Sequence, residues 1–200
     1  MHKIILASGS PRRKEILEKT GVTFTVCPSD REEITTREKP EEIVAELAAV
    51  KAEDIAERSG GDIIVIGADT MVAVNGQILG KPRDIEDAKR MLRLLGGNIH
   101  KVYTGVSVII KDMSSTSGLR ERTVSFVEST DVLVKPLTEE QIAAYVATGE
   151  PFDKAGGYAI QGRFAVNIER IDGDYNNIVG FPISRLYSTL LKEGIDILNP

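Results

Sequence analysis

Four consecutive apolar residues, Ile63-Ile64-Val65-Ile66, constrain the fold more than any other feature of the chain. A run without polar alternation is what a strand covered on both faces requires, and such strands belong to sheets flanked by helices. The chain leads from this run into Gly67-Ala68-Asp69-Thr70. It resumes as Met71 to Val74, turns at Asn75-Gly76 and returns through Gln77-Ile78-Leu79 to Gly80-Lys81-Pro82. Asn-Gly between apolar runs is a hairpin signal, and a two-residue turn pairs Val74 with Gln77. Counting back then sets Thr70 opposite Lys81 with Asp69 one step away, whereas a three-residue loop with a glycine bulge sets Asp69 opposite Lys81 itself. A carboxylate at the end of a buried strand has to be paired or metal-bound. Two readings follow: a structural Asp69–Lys81 ion pair, or a site.

The N-terminal stretch reads as strand, tight loop and helix. Ile4-Ile5-Leu6 is the strand, Ser10 an N-cap, Pro11 the first helical residue, and Gly21 the stop of a helix carrying Ile16 and Leu17. Arg12, Arg13 and Lys14 crowd its first turn, where the helix dipole favours negative charge and each cation costs about 0.3–1 kcal/mol at an exposed site. Cations gathered beside unpaired backbone N–H groups suit an anion such as phosphate. A solvated basic helix start and a Ser-Pro-Arg-Arg turn for the DNA minor groove are the rival readings.

Thr23 to Val26 is a second short strand, followed by an acidic loop with Glu32 and Glu33, which is either solvated or a metal or base site. Glu41 to Glu57 is a helix entered through Pro40 and ended by Ser59-Gly60-Gly61. Lys51 falls near the middle of its apolar face, between Leu47 and Ile55. Its stem either snorkels to water or carries the ammonium to an anion inside a cleft.

Asp84 caps the next helix, which buries Ala88, Met91, Leu92 and Leu95 and ends at Gly96-Gly97. His100 to Ile110 is a long strand whose Thr104-Gly105 marks either a bulge or a close ligand approach. Lys111 to Leu119, rich in Ser, is a mobile hairpin loop or a connection, and Arg120 to Val134 returns as one or two strands. Thr138 and Gln141 form a capping box opening a helix to Thr148. Glu150 to Gly162 is a glycine-rich loop suited either to a small molecule or to plain connection. Phe164 to Ile171 is a strand, Asp172-Gly173-Asp174 a turn, and Pro182 opens a last helix.

Composition excludes several function classes. The 200 residues make one domain, or two lobes sharing one sheet. A net charge of −5, from 25 basic and 30 acidic residues, argues against a general nucleic-acid binder. Cys27 is the only cysteine, so no disulfide framework forms, and with His2 and His100 the only histidines a zinc site lacks ligands. Serine hydrolysis lacks its G-x-S-x-G motif. The N-terminal apolar run is too short for a signal peptide, so the expected location is the cytoplasm, with no membrane.

The stretches Ser8-Gly9-Ser10-Pro11-Arg12-Arg13, Gly67-Ala68-Asp69-Thr70, Gly80-Lys81-Pro82, Asp153 through Gly162, Asp172-Gly173-Asp174-Tyr175 and Val179-Gly180-Phe181-Pro182 occur in an order that resembles the Maf family of nucleoside triphosphate pyrophosphatases. The resemblance covers nearly the whole chain and makes residues 1–200 a single Maf-like domain. It implies an α/β fold, with a long mixed twisted sheet flanked by helices and two lobes around a deep cleft, similar to the inosine triphosphate pyrophosphatases. It also implies hydrolysis of a nucleoside triphosphate between its α and β phosphates with Mg²⁺ or Mn²⁺, and a homodimer. By position Asp69 matches the proton acceptor, and Arg13, Glu33, Lys51 and Lys81 match other active-site residues. Ser8 and Ser10 belong to the matching substrate loop, and Arg12, Thr70 and Gln161 match positions tied to base choice, with identities that fit the dTTP/UTP group.

The charges agree with that chemistry. A triphosphate carries close to four negative charges, which Arg13, Lys51, Lys81 and a divalent cation offset. Asp69 and Glu33 are the expected carboxylates for the metal, with Asp69 as base or the two roles exchanged. The rival from another class is a nucleotide-binding regulator of septum formation and cell division, which keeps the basic pocket without needing both carboxylates.

Overall fold

The computed structural model describes residues 2–113 and 120–199. Seven strands form one mixed sheet: β1 (Lys3–Leu6), β2 (Phe24–Val26), β3 (Ile63–Val74), β4 (Gln77–Leu79), β5 (Ile99–Asp112), β6 (Arg120–Val134) and β7 (Ile168–Asp172). Their order is β2-β1-β3-β5-β6-β7, with β4 paired to β3. β1 runs parallel to both β2 and β3, while β3/β4 and β6/β7 are antiparallel. The helices are α1 (Pro11–Lys19), α2 (Pro40–Glu57), α3 (Ile85–Leu95), α4 (Glu139–Val146), α5 (Tyr175–Val179) and α6 (Ile183–Lys192). Among the described residues no helix is long and apolar enough to cross a membrane.

The chain divides into two compact units. The first comprises Met1–Asp69, Thr104–Glu128 and Gly180–Pro200, the second Thr70–Tyr103 and Ser129–Val179. In the first, Ile55, Ala52 and Ala56 of α2 pack on Ile63 and Val65 of β3, on Ile5 and on Ile109. In the second, α3 and α4 bury Met91, Leu92, Leu95, Ile142 and Tyr145 around a sheet face that includes Val72 and Val132.

β3 is a single unbroken strand, although its Gly67-Ala68-Asp69-Thr70 stretch reads as an interruption of the apolar run. Gly67 interrupts nothing because the space a Cβ would take is filled by α2: Ala48 O would lie 2.3 Å from it. The hairpin takes the two-residue register, with Val74 opposite Gln77 and with Asn75 (φ 50°) and Gly76 (φ 75°) in the left-handed region that a type I′ turn demands. The ladder ends at Leu79, and Gly80 O instead accepts from the amide of Gly156.

Asp84 caps α3 by accepting from the Asp87 amide, and Thr138 with Gln141 completes the capping box of α4. Ser10 is the N-cap residue of α1, but its hydroxyl does not cap; its own amide donates to Ser8 Oγ. Residues Phe164 to Ile171 are not one strand. Arg163–Asn167 form a 3₁₀ turn and β7 begins at Ile168, because the Phe164 ring is drawn inward to pack 4.9 Å from Tyr145 and 5.1 Å from Tyr158. Helix α5 lies where the sequence shows only a turn, and its one local signal is Asp174, whose carboxylate accepts from the Asn176 amide. β6 is one strand, and of the connection Lys111 to Leu119 the residues 114–119 lie outside the described residues.

Candidate active site

In the first unit, glycines on two neighbouring strands let α2 settle onto the sheet. A Cβ on Gly105 of β5 would meet Val44 O at 2.2 Å, as one on Gly67 would meet Ala48 O. Gly105 thus marks the close approach of a helix backbone. Asp69 lies two residues beyond Gly67 and so projects from the same face of β3. Lys51 lies one turn beyond Ala48 on α2. Seating the helix on Gly67 therefore delivers the lysine to the carboxylate, and Lys51 Nζ donates to Asp69 Oδ1 at 2.7 Å.

The same ammonium reaches Glu33 Oε1 at 2.8 Å. Lys51 and Asp69 side chains are each 12% exposed and that of Glu33 is 53% exposed, so one open and one sheltered carboxylate share a sheltered cation. Of the two readings of Lys51, the anion-bound one holds.

Arg13 is buried at the start of α1. Its Nε donates to Gly180 O at 2.9 Å and its Nη1 to Ser8 Oγ at 3.0 Å, tying the helix start to β1's exit loop and to the segment before α6. Burial draws the guanidinium below its ordinary pKa; Asp69 opposes this, Arg12 reinforces it, and Glu33 again opposes it. A guanidinium does not give up its proton in proteins. Asp69 and Glu33 are the negative charges that offset its burial. Arg12 is half-buried and Ser10 is half-buried beside it. Ser8, Arg12, Arg13, Glu33, Lys51 and Asp69 thus form one neighbourhood inside the first unit.

Thr70, Lys81 and Gln161 belong to the second unit. Thr70 is half-buried, and Lys81 and Gln161 are exposed. Lys81 sits between Gly80, bonded to Gly156, and Pro82, whose Cγ would stand 3.1 Å from a Cβ on Gly157. Gln161 rides on a turn fastened at both ends: Ala159 N donates to Tyr145 Oη, and Arg163 N to Glu150 Oε2. A Cβ on Gly162 would lie 2.3 Å from the Glu150 carboxylate, which accounts for a glycine there.

Asp69 and Glu33 fit the metal that the resemblance implies. Among the described residues no group of three or more His, Cys, Asp or Glu side chains is placed to hold an ion. Magnesium instead takes one or two carboxylates and completes its shell with water and phosphate oxygens. Two carboxylates within 3 Å of one ammonium are a donor set of that size.

The family model described as "Maf-like protein" matches residues 3–193. A dTTP/UTP pyrophosphatase from Lachnoclostridium phytofermentans is 55% identical over 199 residues, covering 100% of this chain and 99% of its own length. One from Agathobacter rectalis is 51% identical over 209 residues, covering 98% and 100%. A third, from Bacillus thuringiensis subsp. konkukian, is 50% identical over 200 residues and covers both chains fully.

Proposed function

The chain belongs to the Maf family, and we propose that it hydrolyses dTTP and UTP to the nucleoside monophosphate and pyrophosphate. The relatives that match its whole length bear that activity in their names. The observation that carries the reading to this chain is Lys51 Nζ held between Asp69 and Glu33, beside the buried Arg13.

Asp69 is the better-sheltered carboxylate and acts as the base, accepting a proton from the water that attacks the α phosphorus. The bond that breaks joins the α phosphorus to the oxygen bridging to the β phosphate, and pyrophosphate leaves with that oxygen. Arg13 supplies a fixed positive charge for the phosphate oxygens, reinforced by the N–H groups at the start of α1. Lys51 holds the two carboxylates side by side and adds a second cation. Asp69 and Glu33 would hold Mg²⁺ or Mn²⁺, which when bound offsets triphosphate charge and polarises the phosphoryl oxygens. By their match to the family motifs, Lys81 adds a further phosphate-binding cation, Ser8 and Ser10 bind the substrate, and Arg12, Thr70 and Gln161 select the base.

The test is a nucleotide panel with Mg²⁺, read separately for pyrophosphate and orthophosphate. Pyrophosphate from dTTP and UTP is expected; nucleotide binding with no pyrophosphate release would overturn the proposal. For Asp69→Asn, turnover is expected to fall by about 10²–10⁴, and a loss smaller than tenfold would remove Asp69 as base.

A further inference from the structure

The segment between β2 and α2 is laced to α2 through every second residue. Ser29 Oγ donates to Asp54 Oδ2 at 2.6 Å, and Arg31 Nη2 meets Glu57 Oε2 at 2.6 Å with its Nε 3.8 Å from Asp54 Oδ1. Glu33 takes Lys51, and then Thr35 and Arg37 both reach Glu46. Residues 29 to 37 rise along the strap while their partners run back from the last turns of α2 toward its first. The contacts alternate along 27–38, which forms no strand, and the Ile34 amide donates to Glu32 O across Glu33.

Glu33 is the central member of the series and is exposed. Stations on either side flank its approach to Lys51. The firmer of these is Asp54, a buried carboxylate that accepts from Ser29 and from Arg58 Nη2 at 2.6 Å. The Ser29 hydroxyl and the two arginines hold it below the usual carboxylate range, so the clasp stays charged through neutral pH.

We infer that Asp54 and Ser29, with Thr35 and Glu46 at the far end, are positioning residues that hold the strap on α2 and thereby keep the Glu33 carboxylate at the ion site. They touch neither substrate nor metal. The inference rests on the proposed function only for what Glu33 does once it is held.

Two measurements test it on the full-length protein. Ser29→Ala and Asp54→Ala are expected to raise amide hydrogen exchange at Ile34 and Arg37, the strap amides bonded independently of Ser29, by about tenfold, with β3 unchanged. The Mg²⁺ concentration for half-maximal dTTP hydrolysis is expected to rise about tenfold. In a Glu33→Gln background, adding Ser29→Ala is expected to change it no further. Unchanged exchange in the strap, or an equal effect of Ser29→Ala with and without the Glu33 carboxylate, would overturn the inference. Should Asp54→Ala fail to fold, Ser29→Ala lies on the strap and carries the test alone. If the parent protein released no pyrophosphate, the proposed function would fall while exchange still decided whether the strap is held.

Discussion

Lys51 shows how far one residue can be read from spacing. Its position on the apolar face of α2 is visible in the sequence, and so is the choice it faces between water and an anion. The outcome depends on Asp69 and Glu33, which lie 18 residues to one side and 18 to the other and whose closeness no local pattern records. The Ser29–Asp54 contact was illegible for the same reason. Removing the ammonium leaves a sheltered carboxylate without its donor, and such losses are larger than the net worth of the pair. Lys51→Met is therefore expected to be destabilising. Combined with Asp69→Asn it should lose less than the two single changes together, with a coupling of about 0.5–3 kcal/mol in a urea double-mutant cycle. Additive losses would mean that the 2.7 Å contact contributes nothing.

At the scale of elements, local chemistry was well recorded. The caps of α3 and α4, the Asn-Gly hairpin and the limits of α2 follow from residues within a few positions of one another. What the chain did not disclose is where elements touch. Gly105 and the inward turn of Phe164 both answer to packing partners far along the sequence. α2 rests on Gly105 backbone to backbone, with the would-be Cβ 2.2 Å from Val44 O. Gly105→Ala must lift the helix, so a loss of about 1–3 kcal/mol is expected from the urea midpoint at unchanged m-value. Turnover should fall with it, since Lys51 moves with α2. Normal stability in that variant would refute the close seating.

The molecule as a whole was legible as α/β with a mixed sheet, but the place where one compact unit gives way to the other was not. Each compact unit is assembled from separated stretches, and β3, β5 and β6 each contribute residues to both units, so no composition shift or linker marks a boundary. Global stability carries one titration that stands apart from the carboxylates. His100 is buried in the second unit with Nε2 2.7 Å from Tyr158 Oη, and burial pushes its pKa from 6.5 down to about 4, against a smaller opposing pull from Asp131. The unfolded chain binds this proton first, so the stability is complete above pH 6.5 and is lost as pH falls toward 4. The full loss is about 3 kcal/mol. Urea unfolding at pH 7, 6, 5 and 4 should show the decline in the parent and a flatter profile in His100→Gln; matching profiles would exclude His100 as its source.

The two glycines under α2 also bear on how this protein can change over time. Side chains buried elsewhere can swap size and be accommodated by their neighbours, and each swap shifts the spacing between the elements that they separate. At Gly67 and Gly105 main chain abuts main chain, with no side chain in between to be exchanged. The distance between Lys51 and Asp69 is thus insulated from drift in the rest of the core, and the sequence is free to diverge around a gauge it cannot easily reset.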